Sequence, residues 1–128
     1  MSRQSKDAGA SPKTELRDRI ESFYEHFNRQ EWKVCFETID PLLRESQRIR
    51  LDNYSEALSS FFEKYGPIAI QSLKLSLHLD VKLNKADARE FANGVLAWHD
   101  RQGQSHVFKE RWVRANDDNW YTRMIGLV

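Results

Sequence analysis

Cysteine, glycine, proline and long apolar runs are all scarce in this chain of 128 residues. The only cysteine, Cys35, cannot form an intramolecular disulfide, and its apolar neighbours predict a buried, reduced thiol rather than a reactive one. Five glycines and three prolines, without an internal repeat, give no low-complexity segment. No apolar run approaches the roughly 18 residues of a membrane span, and the first residues contain no signal-peptide core. We therefore expect one cytoplasmic globular domain.

An excess of charge is also absent. Lys and Arg together number 20 and Asp and Glu number 19, so the net charge is +1. This balance gives no electrostatic reason to expect a nucleic acid or an anionic membrane as a partner. Hydrophobic residues make up 40% of the chain, which is ample for a packed core. A domain of this length buries roughly two-thirds of the surface of its unfolded chain.

Motifs that are diagnostic of a reaction are missing as well. The sequence has no phosphate-binding loop, no Gly-x-Ser-x-Gly and no dinucleotide fingerprint. Its four histidines form no His-x-x-x-His pair, and His78 with Asp80 on one strand face supplies at most half of a metal site. We therefore predict no cofactor and no metal ion.

The first half of the chain predicts helices. Residues 1–12 hold no large apolar side chain, which predicts a disordered tail ahead of a domain over residues 13–128. Ser11 before Pro12 caps the first helix, with Thr14 as an alternative cap. One apolar stripe at helical spacing follows, formed by Leu16, Ile20, Phe23, Tyr24 and Phe27.

Two further helices follow before residue 67. A short stripe from Trp32 to Ile39 predicts the second, which Asp40-Pro41 ends because proline disfavours a helical residue before it. Asn53, with Glu56 completing a capping box, begins the third, and Gly66-Pro67 ends it. The intervening residues 42–51 are ambiguous between a short helix and an irregular segment, and a short strand between Arg44 and Leu51 is also open.

The second half of the chain predicts an antiparallel meander. Residues 73–83 alternate apolar and polar side chains without a break, which is typical of one long, half-buried strand. Three more strands are expected at residues 88–100, 106–115 and 120–127. The turn between the second and third strands contains Gly103, which is available for a left-handed conformation.

Helices followed by such a meander resemble the nuclear transport factor 2-like superfamily, including its SnoaL-like and steroid delta-isomerase branches. The resemblance lies in residues 23–32, FYEHFNRQEW, and in Phe108 to Val113 with Asn116 to Tyr121, and it covers residues 13–128. It implies an α+β fold of cystatin-like cone type, in which three N-terminal helices pack on a curved antiparallel sheet around a pocket. It says almost nothing about function, because the members include enzymes and transport factors.

Strand parity divides the predicted sheet into two faces. Pairing Asp100 near Gln104 places Leu96, Trp98, Phe108 and Trp112 on one face, and the resemblance at the last turn implies that Tyr121 and Ile125 join them. Both faces are too apolar for open solvent, so we expect helices to cover one of them. We expect a second copy of the chain, in a homodimer, to cover the face that carries Leu96 and Trp98.

The resemblance makes the other face concave, which predicts a pocket for a small apolar or anionic ligand. The predicted ligand-binding residues are His99, Lys109, Arg111, Trp120, Thr122 and Tyr24. If a β-bulge exchanges the faces to which the strand residues point, His106, Glu110 and Trp112 line the pocket instead.

The steroid isomerase mechanism does not fit these residues. The helix position that carries a tyrosine in that branch is Phe23 here, with Tyr24 one residue away, and the strand position of the carboxylic acid falls at Arg111. Two functions stay open: a small-molecule-binding domain, with lyase or isomerase activity as one form of it, and a non-catalytic dimeric interaction or accessory module whose cup is filled by aromatic side chains.

Overall fold

A computed structural model describes residues 11–79 and 90–124 of the chain. Within these residues four helices precede four strands, which confirms the α+β class and corrects the predicted helix number from three to four. The helices are α1 (Pro12–Asn28), α2 (Trp32–Glu37), α3 (Pro41–Ser46) and α4 (Leu51–Tyr65), and the strands are β1 (Ala69–Leu79), β2 (Glu90–His99), β3 (Ser105–Arg114) and β4 (Trp120–Thr122).

The first helix forms as its apolar stripe predicts. Ser11 Oγ accepts a hydrogen bond from the backbone N–H of Thr14 at 3.1 Å, and Pro12 occupies the first turn. All five stripe residues, from Leu16 to Phe27, are buried, so the helix is held by one face against the core. The tail was predicted over residues 1–12; residues 1–10 lie outside the described residues, and Pro12 already belongs to the helix.

The ambiguous segment after Asp40 is helical, and the expectation of an extra strand between Arg44 and Leu51 was wrong. Pro41 lies in the first turn of α3, where its fixed φ favours a helix, and Asp40 caps that turn by accepting from the N–H of Leu42 at 3.3 Å. Ile39, just before it, forms a parallel bridge with Thr122 of β4. The short stripe from Trp32 to Ile39 is therefore a helix only as far as Glu37.

Helix α4 begins at Leu51, two residues before the predicted cap, so Asn53 is not the N-cap and its capping box does not form. Arg50 is the extended residue before the helix, and its guanidinium lies 2.7 Å from the Asp52 carboxylate in the first turn. The predicted end is confirmed, since the helix stops at Tyr65 and Gly66 takes φ +78°.

The four strands form one curved antiparallel sheet in the order β1-β2-β3-β4. Strand β1 confirms the alternating pattern as far as Leu79, and residues 80–83 of the predicted strand lie outside the described residues. The turn after β2 is as predicted, with Gly103 at φ +80°. Strand β4 ends at Thr122, well before the predicted end at residue 127, although residues 125–128 lie outside the described residues.

The core lies between the helices and one face of this sheet. Aromatic side chains meet there: Phe23 and Trp112 pack edge to face with ring centroids 6.0 Å apart, and Phe61 packs at a tilt on Trp98, also at 6.0 Å. This packing decides which strand residues face the helices and which face outward.

Candidate functional site

The helices cover the face that the sequence analysis assigned to a second subunit. Leu96, Trp98 and Trp112 are at most 1% exposed, and Glu110 beside them is 4% exposed. The assignment of faces was therefore wrong, and so is the argument for a homodimer through these side chains. The physical reason is size. This face carries the larger apolar side chains, and burying them against the helical stripes stabilises the fold more than burying the smaller side chains of the other face would.

The predicted cations lie on the opposite, outer face. Lys109 and Arg111 are exposed there and His99 is half-buried. Arg111 lies over the Phe91 ring at 4.6 Å and donates to Asn93 Oδ1 at 3.1 Å, so its contacts are with its own sheet. Their predicted position inside the cup is corrected, although the strand register behind it is confirmed: the structure pairs His99 with Ser105 and Asn93 with Arg111.

The remaining predicted residues do lie on the helix side. Strand β4 pairs Trp112 with Thr122 and Arg114 with Trp120, the opposite parity to the one predicted, so Trp120 and Thr122 face the core with Trp112. Both are buried, as is Tyr24 of α1. The structure thus separates the predicted set into an inner group of three and an outer group of three.

A buried carboxyl group joins α1 to β3. Tyr24 Oη donates to Glu110 Oε2, and Trp112 Nε1 donates to Glu110 Oε1 at 2.7 Å. The Tyr24 ring packs edge to face on Phe23 at 5.0 Å, which fixes its orientation. The alternative pocket residues Glu110 and Trp112 are therefore on the helix side, without any bulge between β2 and β3.

The environment of Glu110 opposes its ionisation. Burial raises the pKa of this carboxyl above its usual range, while the hydrogen bonds from Tyr24 and Trp112 act in the opposite direction. Burial also raises the pKa of the Tyr24 phenol well above its ordinary value, and the neighbouring Glu110 adds to that effect. The three side chains form a buried hydrogen-bonded network that ties the first helix to the sheet.

Aromatic side chains fill the space between the helices and the sheet, and a cavity of about 490 Å³ lies at the end nearest the β2–β3 hairpin. We call it the hairpin cavity. Its walls come from the last turns of α4 and from β2 and β3: Ala57, Ser60, Phe61, Lys64, Tyr65, Trp98, His106, Val107 and Phe108.

Two polar groups distinguish the wall of this cavity. His106 Nε2 lies 2.8 Å from Asp100 Oδ2, and its ring stacks on Trp98 with centroids 4.4 Å apart. The indole N–H of Trp98 is buried and has no hydrogen-bond partner among the described residues. An unpaired buried donor of this kind is uncommon, since burying it costs about 1–3 kcal/mol.

Asp100 organises the turn below the cavity. Its Oδ1 accepts from the backbone N–H groups of Gln102 and Gln104 at 2.8 and 3.0 Å, and its side chain is 3% exposed. The hydrogen bond from His106 holds the pKa of this carboxyl below its usual range, with support from the two backbone donors and against a partial effect of burial. Asp100 is therefore an anion aimed at His106.

Arg101 fixes the helix end to this turn. Its N–H donates to Tyr65 O at 2.8 Å, and its guanidinium donates to Phe62 O and Glu63 O, each at 3.3 Å. These three carbonyls belong to the last turn of α4, where Phe62 O also accepts from the N–H of Gly66 at 2.7 Å, so Arg101 acts as a C-terminal cap. Both walls of the hairpin cavity are thereby held in place.

The sequence contained signals for this site that the prediction did not combine. Asp100 and Gly103 marked the turn, and His106 appeared in the alternative pocket. Asp100 and His106 have even numbers, as do Trp98 and Phe108, and in the predicted register residues with even numbers lie on one side of these two strands. The error was in choosing which side of the sheet the helices cover.

Cys35 is buried, as predicted, and burial raises the pKa of its thiol to about 12. Among residues 11–79 and 90–124, no three His, Cys, Asp or Glu side chains are grouped as a metal site would need. In the same part of the chain, no helix has the length and apolarity needed to cross a membrane. Comparison with protein-family models, curated proteins and solved structures found no match for this chain.

Proposed function

We propose that this protein is a small-molecule-binding domain of the nuclear transport factor 2-like superfamily, with the hairpin cavity as its binding site. Helices ahead of an antiparallel meander support the family, as does the position of Asn28 from the resembling FYEHFNRQEW segment. The Asn28 side chain donates to Ile68 O at 3.0 Å and accepts from Ile68 N at 2.8 Å, tying the end of α1 to the start of the sheet. The cone shape and its pocket belong to the same proposal.

The observation that carries the binding function is the cavity itself. Its volume, about 490 Å³, lies within the range of roughly 300–1,000 Å³ that small-molecule sites occupy. Phe61, Tyr65, Trp98 and Phe108 supply apolar walls. Lys64 at the rim favours a ligand with negative charge or a carbonyl group.

A lyase or isomerase would need a proton acceptor at the reacting atom. His106 is the imidazole on the cavity wall, and Asp100 orients it. The buried Glu110 network is a different group, since its three side chains are satisfied by each other.

The second candidate, a dimeric interaction module, is favoured by the filled centre of the cup. Tyr24, Phe61 and Trp120 are all at most 8% exposed. A homodimer would then use the true outer face, where Val95 and Val107 are 44% and 59% exposed. Light scattering tests this form of the proposal: a dimer at micromolar concentration that Val107→Glu dissociates supports it, and a monomer contradicts it.

The test of ligand binding uses the dye 1-anilinonaphthalene-8-sulfonate, which combines an aromatic body with an anion. We expect saturable fluorescence with one site per chain. Ser60→Trp places an indole in the cavity and should abolish the signal, whereas Ser46→Trp on α3, outside the cavity, should leave it unchanged. Equal binding to both variants would place the dye elsewhere and contradict the proposal.

A further inference from the structure

Asp100 determines which ring nitrogen of His106 carries a hydrogen. A carboxylate oxygen only accepts hydrogen bonds, and Asp100 is already fixed by the N–H groups of Gln102 and Gln104. His106 Nε2, at 2.8 Å from Asp100 Oδ2, must therefore carry the hydrogen. In the neutral ring the lone pair is then on Nδ1, and no described residue hydrogen-bonds that atom.

The ring has little freedom to turn away from this arrangement. It stacks on Trp98 at an interplanar angle of 25°, and Tyr65 packs against it edge to face at 5.3 Å. The side chain is 28% exposed and lines the hairpin cavity. The other ionisable groups around the His106 ring are Asp100 and Arg101 of the turn, Lys64 of α4 and the phenol of Tyr65.

We propose that His106 Nδ1 is the recognition atom of the hairpin cavity, and that it selects planar aromatic ligands that donate a hydrogen bond through a hydroxyl or ring N–H. This inference rests on the proposed function and adds the ligand class. The aromatic walls suit a flat ring, and a cavity acceptor discriminates sharply, because an occupant without a donor leaves Nδ1 desolvated and unpaired. Asp100 acts through His106 as a positioning residue, since it fixes which nitrogen accepts.

The test compares two probes of the same shape, 2-naphthol and 2-methoxynaphthalene, by calorimetry on the intact protein. Only the first can donate a hydrogen bond. We expect the naphthol to bind roughly ten-fold more tightly, which is the factor that one hydrogen bond in a desolvated site supplies. His106→Phe keeps an aromatic ring against Trp98 but removes the acceptor, and it should bring the two affinities together.

A second measurement does not depend on any variant. Long-range proton–nitrogen correlation in the wild-type protein identifies which ring nitrogen of His106 carries hydrogen, and we expect Nε2. Hydrogen on Nδ1 would overturn the inference. Equal affinity of the wild type for both probes would also overturn the inference, but it would leave the proposed function standing. If neither probe binds, the proposed function itself is contradicted.

Discussion

Replacing Tyr24 by Phe tests the buried network that joins α1 to β3. Phe keeps the ring and its edge contact with Phe23 at 5.0 Å, and removes only the hydroxyl that donates to Glu110. One oxygen of a carboxyl that is 4% exposed then has no donor. Leaving such a group unsatisfied costs about 1–3 kcal/mol, so we expect the free energy of unfolding to fall by that amount and the melting temperature by roughly 4 °C per kcal/mol.

The loss should depend on pH. Because burial raises the folded-state pKa of Glu110, the stability it contributes is fully present below its unfolded-state pKa of roughly 4.3 and is lost as pH rises through the folded pKa. The Tyr24 hydrogen bond lowers that folded pKa, so removing it raises the pKa further. We therefore expect Tyr24→Phe to destabilise the protein more at pH 8 than at pH 5 in urea unfolding curves.

Tyr54→Phe is the matched control. Tyr54 is also buried, at 4% exposure, and its hydroxyl has no hydrogen bond among the described residues. Its removal should change stability by less than about 0.5 kcal/mol. Equal losses for the two variants, or a Tyr24→Phe loss that is the same at both pH values, would refute the account of the network.

Three further predictions concern other parts of the fold. Gly66→Ala should lower the melting temperature more than Gly103→Ala does. Both residues have positive φ, but a Cβ at Gly66 would lie 2.8 Å from the Arg101 side chain, whereas a Cβ at Gly103 would meet nothing within 4 Å. Arg111→Met should change stability by less than about 1 kcal/mol and leave dye binding in the cavity unaltered, because the side chain is on the outer face. Asp40→Asn should lower the free energy of unfolding by about 1–3 kcal/mol in urea, since Asp40 is fully buried, caps α3 and lies 2.6 Å from the Arg123 guanidinium.

The helices and strands were predictable where side-chain periodicity was strong. The stripe from Leu16 to Phe27 and the alternation from Leu73 to Leu79 each specify one structure, and both formed. Prediction failed where local signals competed: Asn53 is a good cap residue, yet α4 starts at Leu51, where Arg50 pairs with Asp52 in the first turn. The short segment after Asp40 had no periodic signal, and its indications of a helix were Asp40 as a cap residue and Pro41 in the first turn.

The candidate site shows a different limit. Turn chemistry at Asp100 and Gly103 was enough to predict the β2–β3 register residue by residue. The choice of inner face came from resemblance, whereas the side-chain volumes of Trp98 and Trp112 against Val95 and Val107 favoured the opposite choice. The pairing of Tyr24 with Glu110 joins residues 86 positions apart, and no local pattern contains it.

The central claim is that the hairpin cavity binds a small aromatic ligand, and backbone amide shift mapping by NMR tests it most directly. Titration of the labelled protein with 2-naphthol should shift the amides of Phe61, Lys64 and Val107 around the cavity. The amides of Asn93 and Arg111, paired farther along the sheet, should change little. Shifts centred on Asn93 and Arg111, or no saturable shift at the cavity residues, would contradict the account.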